Sequence, residues 1–221
     1  MRQRPRSDAR RDRQLLVEAG HEVFTEQGLR APLDVIARRA GVGNATLYRH
    51  FPTRAALVDA VFRDRLTGTT EAGERARAAA DAWTGLNDCL RAVFGTLATD
   101  RGTNDLMTTH AGGIEALDAV HAHNRETTKL LPERGREEGA IRADVTTEDV
   151  LFALAALSRA VPALTTAATP DAWHRALTLL LDGLRPAPAP LPGPALTAAQ
   201  LGDVLRGLGP HRAPVRGVKD E

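Results

Sequence analysis

The sequence predicts an all-α fold, with a small N-terminal helical unit followed by a larger one. Apolar residues recur at steps of three and four along most of the chain, while β-branched residues neither cluster nor alternate as strands require. Glycines and prolines fall where helices of ordinary length should stop. A chain of 221 residues, 43% hydrophobic and 26% charged, is long enough for one core and a satellite domain.

Taken in order, residues 10–27 set Leu15, Leu16, Ala19, Val23 and Phe24 on one helical face, and Gly28 supplies the stop. Pro32 suits the first position of a second helix, which carries Ile36 and Ala37 and breaks at Gly41. Residues 43–50 form a brief third helix closed by Pro52. Thr53 then caps a fourth, running to about residue 66 with Leu57, Val61 and Phe62 on one side. Trp83, Leu86, Leu90, Val93, Phe94 and Leu97 mark a fifth helix. Met107 and His110 sit on a short helix ahead of one spanning residues 114–131. Residues 150–161 are apolar nearly all round and should be buried, and residues 171–184 align Trp173, Leu177, Leu180 and Leu184. Prolines alternate from 186 to 194 as a stiff linker. Past it, Thr197 and Gln200 have capping-box spacing before Leu201, Val204, Leu205 and Leu208. That pattern fixes a short amphipathic helix but not its docking. The implied organisation is a flexible basic arm at 1–9, a first domain at 10–65, a second at 66–185, and a linker with tail at 186–221.

Net charge is +1, yet residues 1–65 carry +5 and the remainder −4. The surplus sits in Arg2, Arg4, Arg6, Arg10, Arg11 and Arg13, which makes this end the candidate for contact with phosphate. The apolar run at 150–157 is far short of the roughly 20 residues of a membrane span, so no membrane association is expected. The Arg-rich start lacks the apolar segment of a secretory signal. A single cysteine, Cys89, fits a reducing cytoplasm and reads as an inert thiol. Neither a phosphate-cradling glycine loop nor a local catalytic motif occurs, so neither enzymatic activity nor a cofactor is expected. His121 and His123, two residues apart, point to different sides of a helix and do not suit zinc. Glu137 and Glu138 read as solvated surface.

Two short helices separated by Gly41-Val42-Gly43, between a basic helix and a long one, have the proportions of a helix-turn-helix. Ile36, Ala37, Ala40, Val42, Leu47 and Phe51 would pack the pair at a fixed angle, leaving Asn44, Ala45, Thr46, Tyr48, Arg49 and His50 facing outward. The run LDVIARRAGVGNATLYRHFPTRAALVDAV at 33–61, preceded by LLVEAGHEVFTEQG at 15–28, closely resembles the DNA-binding domain of the TetR family of bacterial regulators. The resemblance implies that Thr46, Tyr48 and His50 hold phosphates while Asn44 and Arg49 reach base edges. Arg49 suits guanine and Asn44 suits adenine. Arg54, beside the capping Thr53, would meet a phosphate at a helix N-terminus, where the family usually has lysine. Pro32 and Gly43 depart from the threonine and serine common in the family at those positions, which shifts weight onto the basic arm.

In the second domain, Ile114, Leu117, His121, Asn124, Thr128 and Leu131 form a stripe that turns polar midway. Buried polar groups need partners, so this face is expected to border a ligand site together with Phe94, Met107 and His110. The function implied is a homodimeric repressor that binds a near-palindromic DNA operator in the cytoplasm and is released by a small-molecule effector. The alternative is a ligand-independent DNA-binding or architectural factor, which a dry, fully apolar second domain would favour.

Overall fold

The computed structural model describes residues 6–108 and 114–208, and these are helical with no strand. The described residues form ten helices in order: α1 (Arg6–Gln27), α2 (Leu33–Arg39), α3 (Asn44–His50), α4 (Arg54–Arg77), α5 (Ala82–Thr99), α6 (Arg101–Thr108), α7 (Glu115–Glu137), α8 (Thr147–Ala167), α9 (Ala172–Gly183) and α10 (Ala198–Leu208). α1 begins four residues earlier than its apolar spacing predicts, so Arg6 to Ala9 are helix and not arm. Asp8 lies in the first turn, where a carboxylate complements the helix dipole.

The first core joins α1 to α4. Leu16, Val23, Phe24, Ile36, Leu47, Phe51, Leu57 and Phe62 are all buried in it. Gly28 at φ 80° and Gly41 at φ 69° adopt the left-handed conformation that stops α1 and turns α2 into α3 without strain. Pro32 and Gly43 occupy the N-cap positions of α2 and α3 without a side-chain cap bond, whereas the Thr53 hydroxyl accepts from Ala56 N–H at the start of α4.

α4 is the main departure from the sequence expectation, since it continues eleven residues past Leu66. Its second half has Thr69, Ala72, Gly73 and Ala76 in place of large apolar residues, yet all four are buried. Small side chains let neighbouring helices come close. A Cβ at Gly85 of α5 would stand 2.3 Å from the Ala76 carbonyl oxygen, and one at Gly73 would stand 2.4 Å from His123 Nε2 of α7. The boundary placed at 65/66 therefore falls inside one continuous helix. Leu106, Ile114, Leu117 and Val120 of the following helices also pack into the first core.

The second core gathers Leu86, Leu90, Phe94, Leu131, Ile141, Val145, Val150, Val161, Trp173, Leu177 and Leu181. On α9 the buried line is Trp173, Leu177, Leu181 and Leu184, while Leu180 is only partly buried and Leu179 is 64% exposed. α8 also differs from expectation. It is long and apolar enough to cross a membrane by length and composition, and only 17% of that apolar window is buried. The short run at 150–157 understated it because alanines and Pro162 extend the apolar helix beyond the large residues. Glu138, expected to be plain surface, accepts from Ala82 N–H at 2.8 Å and pairs with Arg134, so it caps the start of α5.

Candidate functional site

α3 presents Asn44, Ala45, Tyr48 and Arg49 to solvent, with Thr46 and His50 half-buried and Leu47 fully buried as its anchor. One anchored apolar residue per two turns leaves most of this helix outside the core. Tyr48 is 53% exposed and stands beside the exposed Asn44, Ala45 and Arg49. Arg49 lies 3.9 Å from Asp12 of α1, and Arg13 of the same helix stacks over the Phe51 ring at 5.2 Å. The basic start of α1 thus lies beside α3, as a contact surface for phosphate requires. Arg2 and Arg4 fall outside the described residues.

Two of the expected phosphate contacts are more constrained than the sequence implied. His50 Nε2 is enclosed with no hydrogen-bond partner among the described residues, which leaves Nδ1 as the edge through which a phosphate could reach this ring. Burial, with the nearby positive charge of Arg49 and Arg13, pushes His50 below the usual imidazole value and keeps it neutral near pH 7. Arg54 is exposed, but its Nη1 donates to the carbonyls of Leu29 at 3.0 Å and Ala31 at 2.6 Å. It therefore ties the α1–α2 turn to the start of α4, and only the rest of its guanidinium faces outward.

A cavity of about 380 Å³ opens between α5, α6, α7, α8 and α10. Of the residues expected around a ligand, Phe94, Met107, His121, Asn124 and Thr128 line it together; His110 lies outside the described residues. His121 Nε2 donates to the Met107 carbonyl at 3.2 Å, linking α7 to α6 across the wall. Thr127, Arg125, Ser158, Arg159 and Leu205 also line the cavity and were not anticipated. Thr127 was legible, three residues beyond Asn124 on the same face. The α8 and α10 residues were not, because nothing local tells which helices meet. Thr127 is 4% exposed, and its hydroxyl has no hydrogen-bond partner among the described residues. Cys89 is buried in the same wall, and burial pushes its thiol up to about 11, a poor nucleophile.

α7 faces both ways. While His121 looks into the cavity, His123 Nδ1 meets Arg77 Nη2 of α4 at 3.0 Å. A second junction joins the two units at Asp100, whose buried carboxylate pairs with Arg65 of α4 and His21 of α1 and accepts from Thr103 N–H. Burial raises the carboxyl's pKa, but the hydrogen bonds from His21 and Thr103 and the charge of Arg65 outweigh it and hold it below the ordinary carboxylate value. The described residues hold no cluster of three or more groups able to bind a metal.

Residues 16–61 match the family described as bacterial regulatory proteins, tetR family, and residues 78–186 match the C-terminal domain described as transcriptional regulator SbtR-like. An HTH-type transcriptional regulator of Staphylococcus aureus (strain USA300) is 40% identical over 53 residues, which are 24% of this chain and 29% of that regulator's length. The match to these curated relatives thus spans under a third of them. A TetR transcriptional regulator from Streptomyces coelicolor is similar over nearly its whole length, at 32% identity, covering 79% of this chain and 99% of that one with a TM-score of 0.51. FadR from Bacillus subtilis, solved in complex with stearoyl-CoA, shares the fold at 17% identity and a TM-score of 0.59, covering 78% of this chain and 99% of that one. With α3 exposed on a buried Leu47 anchor and both halves matched, this chain belongs to the TetR family of DNA-binding helix-turn-helix transcriptional regulators.

Proposed function

We propose that the chain is a homodimeric repressor in the cytoplasm, held on a near-palindromic operator by two α3 helices and released when a small organic molecule enters the cavity. The observation that carries this reading is that one helix, α7, forms a cavity wall on one face and grips α4 on the other. Thr127 borders the cavity, and its Oγ1 would stand 3.0 Å from a Cβ on Gly73 of α4. A ligand that pushes on α7 therefore pushes on α4, whose first turn is bonded to the α1–α2 turn through Arg54. Tilting α4 in both subunits changes the separation of the readers, which for adjacent half-sites must match about 34–36 Å.

The cavity volume is at the lower end of the roughly 300–1,000 Å³ typical of small-molecule sites. Its mixed lining, apolar with several polar groups, counts against the ligand-independent alternative, which needs a filled second core. The Bacillus subtilis FadR structure, with its stearoyl-CoA, supports a fold able to hold an organic effector. Dimerisation is supported by the outer face of α8 and α9, where Phe152 at 39% exposure stands on a long apolar α8 and Leu179 at 64% exposure stands on α9. On α3, Asn44 and Arg49 read bases while Thr46, Tyr48 and the Nδ1 edge of His50 meet phosphates, as does the outward part of Arg54 at the start of α4.

The test is selection of bound sequences from a random DNA pool with purified protein, then a compound screen for release from the winning sequence. A near-palindrome and at least one releasing compound are expected. Binding without sequence preference would overturn the reading.

A further inference from the structure

The described C-terminal segment lies beyond the family match, whose residues end at 186. It is ordered nonetheless. Arg142 pairs with Asp144 at 2.6 Å, its Nη2 donates to the Ala189 carbonyl at 2.7 Å, and Asp144 accepts from Leu191 N–H at 2.7 Å. These bonds clamp the near end of a strap in which prolines stand at 186, 188, 190, 192 and 194, a composition that favours a stiff extended chain. The far end delivers α10, whose start is closed by the reciprocal Thr197 and Gln200 hydrogen bonds. α10 packs on α8, burying Leu201 to 1% exposure, and one turn later Leu205 enters the lining of the cavity. The side-chain hydrogen bonds described for α10 stay within residues 197–206. One apolar seam, held in place by an anchored strap, is how a detachable wall is built.

We propose that the strap and α10 are the cover of the effector site. Leu205 touches the ligand and sets the length of apolar body that fits, and α10 lifts from α8 while the strap stays clamped at Arg142 and Asp144. The proposal rests on the reading of the cavity as the effector site. A ligand then enters and leaves through the α8–α10 seam and is trapped when Leu201 re-seats, as a lid traps a substrate.

The probe is anilinonaphthalene sulfonate, whose fluorescence rises in an apolar cavity, used with the full-length protein. Leu201→Asp, which unseats α10, should speed both association and dissociation of the dye about tenfold in stopped flow. Leu205→Trp, filling the cavity from the cover, should weaken binding, as should Leu154→Trp, filling it from α8. In the unmodified protein, bound dye should slow hydrogen exchange in both α7 and α10, a readout independent of whether a variant folds. If Leu154→Trp weakens binding while Leu201→Asp and Leu205→Trp behave as the parent, and exchange in α10 is unchanged, the cover is refuted and the effector site stands. If neither tryptophan affects the dye and α7 gains no protection, the cavity reading fails and the cover with it.

Discussion

Gly73→Ala is the most pointed perturbation of the contact between sensor and reader. The added Cβ would stand 2.4 Å from His123 Nε2 and 3.0 Å from Thr127 Oγ1, against ordinary contacts of 3.4–4 Å. His123 must therefore give by about an ångström, and its contact to Arg77 Nη2 at 3.0 Å is the first to be lost. Replacing glycine within a helix returns about 1 kcal/mol of propensity, while overpacking costs about 1–3 kcal/mol, so the net loss of stability is at most about 2 kcal/mol. The protein stays folded, but α4 is displaced away from α7, the direction in which an effector pressing on the far face of α7 would drive it. Operator affinity without effector should fall within the 5 to 150-fold range typical of such coupling, about tenfold as a central value. Fluorescence anisotropy on labelled operator measures it, with urea denaturation to confirm the fold. His123→Ala in the same chain removes the clashing ring and should restore most of the affinity. Operator affinity within twofold of the parent, or no recovery in the double variant, would refute transmission through this contact.

Arg49→Ala should relax preference at one base position by about 1–3 kcal/mol in selections on randomised half-sites. Arg54→Ala should weaken binding to all sequences, lower the salt slope by about one and, because two carbonyl bonds go with it, lower the reader's melting temperature; loss of preference at a single base would contradict this. Leu179→Glu places a charge on the exposed apolar face and should give a folded monomer by sedimentation, whereas a normal dimer would move the interface elsewhere. Asp100 is held below the ordinary 3.8 in the folded state, so its contribution to stability is present above that pH and lost as pH falls through the lower folded value. The stability gap between the parent and Asp100→Asn should therefore shrink between pH 5 and pH 3 in urea titrations, and a constant gap would contradict the assigned pairing.

The helices were legible where large apolar residues repeat, as in α5 with Leu86, Leu90, Phe94 and Leu97, and where a cap or glycine marks an end, as at Thr53 and Gly41. The second half of α4 was not legible, because Gly73 and Ala76 bury by allowing close approach and leave no apolar stripe to read. α9 shows the opposite error. Leu180 and Leu181 fit a helical pattern equally well, and only packing on the second core selects Leu181 for burial. The exposed face of α3 was recognisable because Leu47 is its one fully buried residue. The role of Arg54 was only half visible: sequence shows a cation at a helix start, but its bonds to Leu29 and Ala31 depend on a turn twenty-odd residues away. Along α7 the polar stripe indicated a cavity wall, while Ser158 and Leu205 became part of it through tertiary packing that no local pattern encodes.

Whether an occupied cavity alters the spacing of two readers in a dimer can be measured as the distance between spin labels at position 45 of α3. Ala45 is exposed, and the one native cysteine, Cys89, is buried with its thiol raised to about 11, so Ala45→Cys can be labelled selectively. Pulsed electron resonance should give one distance centred at about 35 Å, widened by the label arms, in the effector-free protein. A compound that releases operator should shift that distance by several ångströms. A cavity shown to be occupied, with the distance unmoved, would refute release by changed reader spacing, and a labelled protein with no interspin distance at all would refute the dimer.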